Sequence, residues 1–152
     1  VLDGTDIVYV LRVHTHKIMA INLNVGTRLP AWCTSLGRVL LAGLDDAEVK
    51  ARLKASDIRA NTRHTATDMG ELLARVQQVR RQGWALVNQE LEEGLISIAA
   101  PVKNRAGAVV AALNVSGQAN RTSAAVMKDS MLPKLRAAAD EVSALLAQTG
   151  RA

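Results

Sequence analysis

The sequence predicts an α+β domain, an antiparallel sheet with helices packed on it. Its apolar patterning changes character along the chain, in the order strand-strand, helix-helix-helix, strand-strand-strand, helix. Runs of strands separated from runs of helices belong to the α+β class. The clearest stretch is residues 88–117, NQELEEGLISIAAPVKNRAGAVVAALNVSG, where a polar turn feeds two apolar strands joined by a tight KNRAG reversal.

Residues 7–13 (IVYVLRV) are β-branched and apolar, and residues 18–23 (IMAINL) follow the polar HTHK, so the two predict an antiparallel hairpin. Residues 25–30, with Gly26 and Pro30, predict a loop. A short helix then runs from Thr34 or Ser35 to Ala42, with Leu36, Val39 and Leu40 on its buried face and Gly43 as its stop. In the second helix Asp45 caps, Glu48 follows three residues on, and Leu44 can staple to Val49. The third repeats the device with Asp68 and Glu71 and runs through Leu72, Leu73, Val76 and Val79 to Gly83. Strands follow at 84–87, 95–102 and 108–115. The closing helix, 122–147, sets Met131, Leu135, Ala138, Val142, Leu145 and Leu146 on one side, and Pro133 is expected to kink it or to begin a second helix.

A length of 152 residues suits one domain of roughly 100–200 residues. With 49% hydrophobic and 22% charged residues the chain is neither disordered nor membrane-spanning in composition. No apolar run approaches the roughly 18–20 residues of a spanning helix, and the start lacks a signal-peptide pattern. The single cysteine, Cys33, has no internal disulfide partner and fits a reducing cytoplasm. The chain opens without an initiator Met inside a strand-like stretch, so it is expected to be part of a longer protein. The net charge of +5 is spread over scattered residues, among them Arg12, Arg28, Arg38, Lys50 and Arg80, with two Trp, one Tyr and no Phe. Those charges read as a solvated surface, because a base-stacking platform needs aromatics that are scarce here.

Polar residues interrupt the two apolar strands. Asn114 and Ser116 share a strand face with Ala112, and Ser97 shares one with Leu95 and Ala99. Across the KNRAG hairpin they can line one concavity, or simply hydrogen-bond to one another across the strands. The helix start at Thr34-Ser35 presents free N–H groups and hydroxyls to an anion, or is simply a capped helix. Cys33 as a nucleophile needs a histidine in contact, and His14, His16 and His64 all sit in polar, turn-like surroundings, so an inert buried thiol is the expectation. His14-Thr15-His16 is too small a ligand set for a metal. The acidic run around Glu90, Glu92 and Glu93 has no paired-carboxylate context, and no phosphate-cradling glycine motif occurs. No cofactor is expected.

Three segments in order, LPAWCTSLGRVLLAGL, RQGWALVNQELEEGL and ISIAAPVKNRAGAVVAALNVSG, resemble the effector-binding domain of IclR-type bacterial transcriptional regulators, over nearly the whole chain. The QELEEGLISIAAPV form is similar to the Pca and Pob subgroup, which controls aromatic-acid breakdown by the β-ketoadipate route and responds to protocatechuate, 4-hydroxybenzoate or β-ketoadipate. The resemblance implies a GAF-like fold over residues 1–152, a small carboxylate effector, dimer or tetramer assembly, no catalysis, and DNA binding through an N-terminal winged helix-turn-helix domain that this chain lacks. It also implies site residues. The carboxylate-holding junction matches Ser35 and Leu36, with Thr34 and Gly37 beside it, and the pocket wall matches Ile18, Ile21 and Leu29. The family's acidic position falls at Val87 or Asn88. Ser97 matches a Cys or Ser position, and Asn114 and Ser116 match paired serines. Asn114 departs from that pair and is expected to set which acid fits.

Overall fold

The computed structural model describes residues 1–13 and 23–149. Along the chain come β1 (Leu2–Asp3), β2 (Asp6–Val8), β3 (Arg28–Pro30), α1 (Ser35–Ala42), α2 (Asp46–Ala55) and α3 (Met69–Gln82). They are followed by β4 (Ala85–Asn88), β5 (Leu95–Lys103), β6 (Val109–Gln118), α4 (Ala124–Val126) and α5 (Leu132–Thr149), with a π-helical turn at Met127–Met131 between the last two. The strands form two antiparallel three-stranded sheets, β1-β2-β3 and β4-β5-β6. The architecture is α+β, as predicted.

The β4-β5-β6 sheet is the middle layer. From β5, Ile96, Ile98, Ala100 and Val102 pack with Met127, Leu132, Leu135 and Ala139 on one face. Ala99 joins the opposite cluster, with Leu41, Val49, Leu72 and Val76 from α1, α2 and α3. The period of two divides β5 between these cores and puts the small Ser97 and Ala99 beneath α1. All eight residues of α1 are buried, not one face only, because the helix is enclosed by the sheet and α3.

Local chemistry sets the helix starts. Thr34, in extended conformation, accepts the Gly37 N–H on its Oγ1 at 3.2 Å and donates that hydroxyl to the Pro30 carbonyl at 2.8 Å. Asp45 accepts the Glu48 N–H at 2.8 Å and Asp68 the Glu71 N–H at 2.9 Å. The Glu48 and Glu71 carboxylates reach forward to Arg52 and Arg75. Val49 is fully buried and Leu44 packs against the same core.

Two expectations are corrected, the first hairpin with its loop and the apolar stripe of the last helix, whereas Pro133 does stand at the start of a second helix. β2 ends at Val8, and its partner is the expected loop: Asp6, Ile7 and Val8 pair with Pro30, Leu29 and Arg28. Arg28 reaches Asp3 and Asp6 from β3, and a turn at Asn24–Thr27, with Gly26 at φ 90, returns the chain to Tyr9. Residues 18–22 of the expected hairpin lie outside the described residues. β1 was not anticipated; a two-residue turn with Gly4 at φ 63 joins it to β2. In the last helix the Leu132 N–H donates to the Met127 carbonyl, five residues back, immediately before Pro133. That wider turn places the residue without an N–H at the start of α5 and keeps the helical path continuous. Leu132, Leu135 and Ala139 face the sheet, whereas Val142 and Leu145 are exposed. Ser143 lies on the sheet side, accepting the Lys103 N–H and donating to the Ala139 carbonyl.

Gly37 marks the tightest contact. A Cβ there would lie 2.1 Å from the Ala31 carbonyl oxygen and 2.3 Å from the Ala31 Cα. Gly→Ala inside a helix ordinarily stabilises by roughly 0.5–1 kcal/mol. Here the sign reverses: Gly37→Ala is expected to lower the unfolding free energy by at least about 2 kcal/mol, measured by urea denaturation. A neutral or stabilising result would show that α1 does not stand this close to Ala31.

Candidate functional site

The first turn of α1 meets the small-residue face of β5 and β6 at a group of hydroxyls. Ser97 lies opposite Ser116, and Ala99 opposite Asn114. The Ser35 and Ser97 Oγ atoms are 2.6 Å apart. Asn114 Nδ2 donates to Ser97 Oγ at 3.2 Å and to Ser116 Oγ at 3.3 Å, and the Ser116 hydroxyl donates to Ser97 at 3.4 Å. Both sequence readings of these residues therefore hold. They bond one another, and Ser35, Ser97, Asn114 and Ser116 together form the polar wall of a cavity of about 30 Å³.

Leu29, Thr34 and Leu36 line the same cavity, so seven of the expected residues converge there. Gly37 stands beside it, its N–H taken by Thr34. Ser35 and Leu36, in the first turn, carry N–H groups with no intrahelical acceptor. Asn88 is corrected: it is exposed at the end of β4, and the alternation of the strand turns its buried neighbour Val87 to the cavity instead. Ile18 and Ile21 lie outside the described residues. Residues not anticipated in the wall are Tyr9, Leu23, Cys33, Leu91 and Leu95. Tyr9 and Leu23 were read only as hairpin residues, Cys33 only as an inert thiol and Leu91 only as part of a polar turn. Leu95 had a sequence signal, since it shares the strand face of Ser97.

Burial pushes the Tyr9 phenol up, opposed by Arg12 and by a side-chain hydrogen bond with Asn114. The cavity's polar end thus consists of neutral donors and acceptors. Burial also pushes the Cys33 thiol up to about 12. Asn61 Nδ2 approaches its sulfur at 3.7 Å, and His64 is exposed, taking a hydrogen bond from Arg63. Among the described residues no histidine stands by this thiol to activate it.

Behind the cavity lies a buried ion pair. Arg38, read from sequence as a surface charge, is 2% exposed, and Glu90 is 4% exposed. The guanidinium meets both Glu90 oxygens at 2.8 Å. The Ala66 N–H and Arg75 Nη1 each add a hydrogen bond at 3.1 Å. Burial alone raises the Glu90 carboxyl, but Arg38, the Ala66 N–H and Arg75 outweigh it and hold the group below its ordinary 4.5.

Residues 1–144 match the family described as bacterial transcriptional regulator IclR C-terminal. The chain belongs to this family. It is 45% identical over 142 residues to the Pca regulon regulatory protein of Pseudomonas putida, covering 93% of this chain and 49% of that protein. This IclR-type chain therefore spans about half the length of that curated relative. A solved Rhodococcus sp. RHA1 chain, described as a transcriptional regulator, is 46% identical with a TM-score of 0.92, covering 97% of this chain and 60% of its own. The inducer-binding domain of an Acinetobacter PobR double mutant, solved with 3-hydroxybenzoic acid, is 35% identical with a TM-score of 0.86, covering 94% and 84%. Among the described residues no helix is long and apolar enough to cross a membrane.

Two measurements check the electrostatics. Cys33 is expected to resist alkylation in the folded protein at pH 8 and to react once urea unfolds it; rapid native labelling would contradict its raised pKa. Glu90→Gln leaves Arg38 buried without its counter-charge and is expected to destabilise by about 3 kcal/mol at pH 7. Because the folded pKa of Glu90 is depressed, its contribution is full above 4.5 and is lost as pH falls through the folded value. Urea melts from pH 7 to 3 should therefore show a shallower acid decline for Glu90→Gln than for the wild type.

Proposed function

We propose that this chain is the effector-sensing domain of an IclR-type transcriptional regulator, and that its cavity binds a small organic acid of the hydroxylated aromatic class. The observation that carries this reading is the convergence, on one largely apolar cavity, of the first turn of α1 with a cluster of neutral hydroxyls and an amide. The Ser35 and Leu36 N–H groups suit the carboxylate, and Asn114 with Tyr9 suits a ring hydroxyl. Leu29, Leu91 and Leu95 suit the ring. The 3-hydroxybenzoic acid complex of the PobR domain and the likeness to the Pca regulon regulator support an aromatic or β-ketoadipate-like effector.

A sensor needs binding to bias two arrangements of its domain: a ligand shifts an equilibrium by its differential affinity for two states. In this proposal the shift passes to a DNA-binding part of the full-length regulator. The protein works in the cytoplasm as a homodimer or homotetramer, without catalysis or cofactor. The raised Cys33 pKa argues against the competing reading of a thiol enzyme.

Thermal unfolding with 4-hydroxybenzoate, protocatechuate, 3-hydroxybenzoate and β-ketoadipate tests this. An acid at about 100 times its Kd is expected to raise the melting temperature by about 5–10 °C. If none of the four does so, a purely structural assembly domain becomes the better reading. Ser97→Ala and Asn114→Ala are each expected to weaken binding about tenfold while leaving the fold intact. Wild-type affinity in both variants would remove the polar wall from the site.

A further inference from the structure

We propose that Arg38 and Glu90 are positioning residues for the cavity, and that their ion pair sets where the first turn of α1 stands relative to the loop between β4 and β5. This rests on the effector-sensing reading above. Arg38 lies one turn beyond Ser35, with its N–H bonded to the Thr34 carbonyl at 3.0 Å. Its Nε donates to the Trp32 carbonyl at 3.1 Å, so one guanidinium grips the chain before α1 and, through its other two nitrogens, Glu90. Glu90 sits next to Leu91 and three residues from Val87, both in the cavity wall. The loop backbone is held from the far side as well: Thr62 Oγ1 donates to the Gln89 carbonyl and Thr65 Oγ1 to that of Glu90. Gln89 is held at φ 62.

Stability alone does not account for such a pair. Well-packed apolar residues of similar volume are generally as stabilising as a buried ion pair, because both charges must be desolvated. What apolar side chains lack is direction. A bidentate fork loses two charge-assisted hydrogen bonds at once if either partner slides, so it fixes position as well as contact. The two bodies it fixes both contribute to the cavity wall: Ser35 and Leu36 on α1, and Val87 and Leu91 around Glu90. A displacement of either body moves Ser35 and Leu36 relative to Val87 and Leu91.

The test uses the 152-residue chain, calorimetry with 4-hydroxybenzoate, and amide hydrogen exchange. The double variant R38M/E90L removes both charges together. It is expected to fold, to bind 4-hydroxybenzoate at least about tenfold more weakly, and to exchange the hydrogen-bonded Gly37 and Gln89 amides about tenfold faster, with Val102 unchanged. A folded double variant with wild-type affinity and wild-type exchange at Gly37 and Gln89 overturns the proposal. Should it not fold, R38K keeps the charge without the planar fork and is expected to show the same two changes; wild-type values there overturn the proposal equally. If the wild type binds no 4-hydroxybenzoate, calorimetry counts against the effector assignment alone, and the exchange rates still decide the positioning role.

Discussion

The complete burial of α1 is the constraint on which the domain is built. A helix with no solvent side must find internal partners for every polar group it carries, and an unmade one costs about 1–3 kcal/mol. Thr34 answers for the Gly37 N–H, Ser97 for the Ser35 hydroxyl, and Glu90 for Arg38. Each partner comes from a different part of the chain, so satisfying the helix also fixes the site around it. The absence of a Cβ at Gly37 lets the helix seat against Ala31, and the small residues of β5 let it lie close to the sheet.

Ser35 and Leu36 are in the first turn, where the helix has no acceptors of its own, and both residues line the cavity. The first turn of α1 and the shared hydroxyl network meet at Ser35, whose hydroxyl touches that of Ser97. Among the described residues the cavity wall carries no charged side chain, so its polar groups are neutral dipoles.

Local signals made much of this legible in the sequence. Capping chemistry is confined to a few residues, so the caps Asp45 and Asp68 read correctly, and the start at Thr34 or Ser35 was placed within one residue. Strand alternation was sufficient to bring Ser97 and Ser116 to one face. The β1–β2 hairpin was hidden because two- and three-residue strands have no measurable period; the Asp3-Gly4 pair was the available clue. Arg38 was misread because its partner lies 52 residues away, and no local pattern separates a buried arginine from a surface one. Of the two positions offered, Val87 and Asn88, the cavity takes Val87, because one residue along a strand means the opposite face. The stripe of α5 was misplaced because Ala138, Val142 and Leu145 also recur at helical spacing; only the sheet beneath selects the row through Leu135 and Ala139.

The division of β5 between two cores bears on how such a domain diversifies. Its α5-facing side chains, Ile96, Ile98, Ala100 and Val102, are apolar and closely packed. Its α1-facing side carries Ser97, beside Asn114 and Ser116 on the neighbouring strand. Alternation along one strand thus separates the residues that hold the sheet to its helix from those that line the cavity. An exchange of serine for asparagine on the second face leaves the packing of the first untouched, so the cavity's chemistry and the sheet's cohesion can be altered independently.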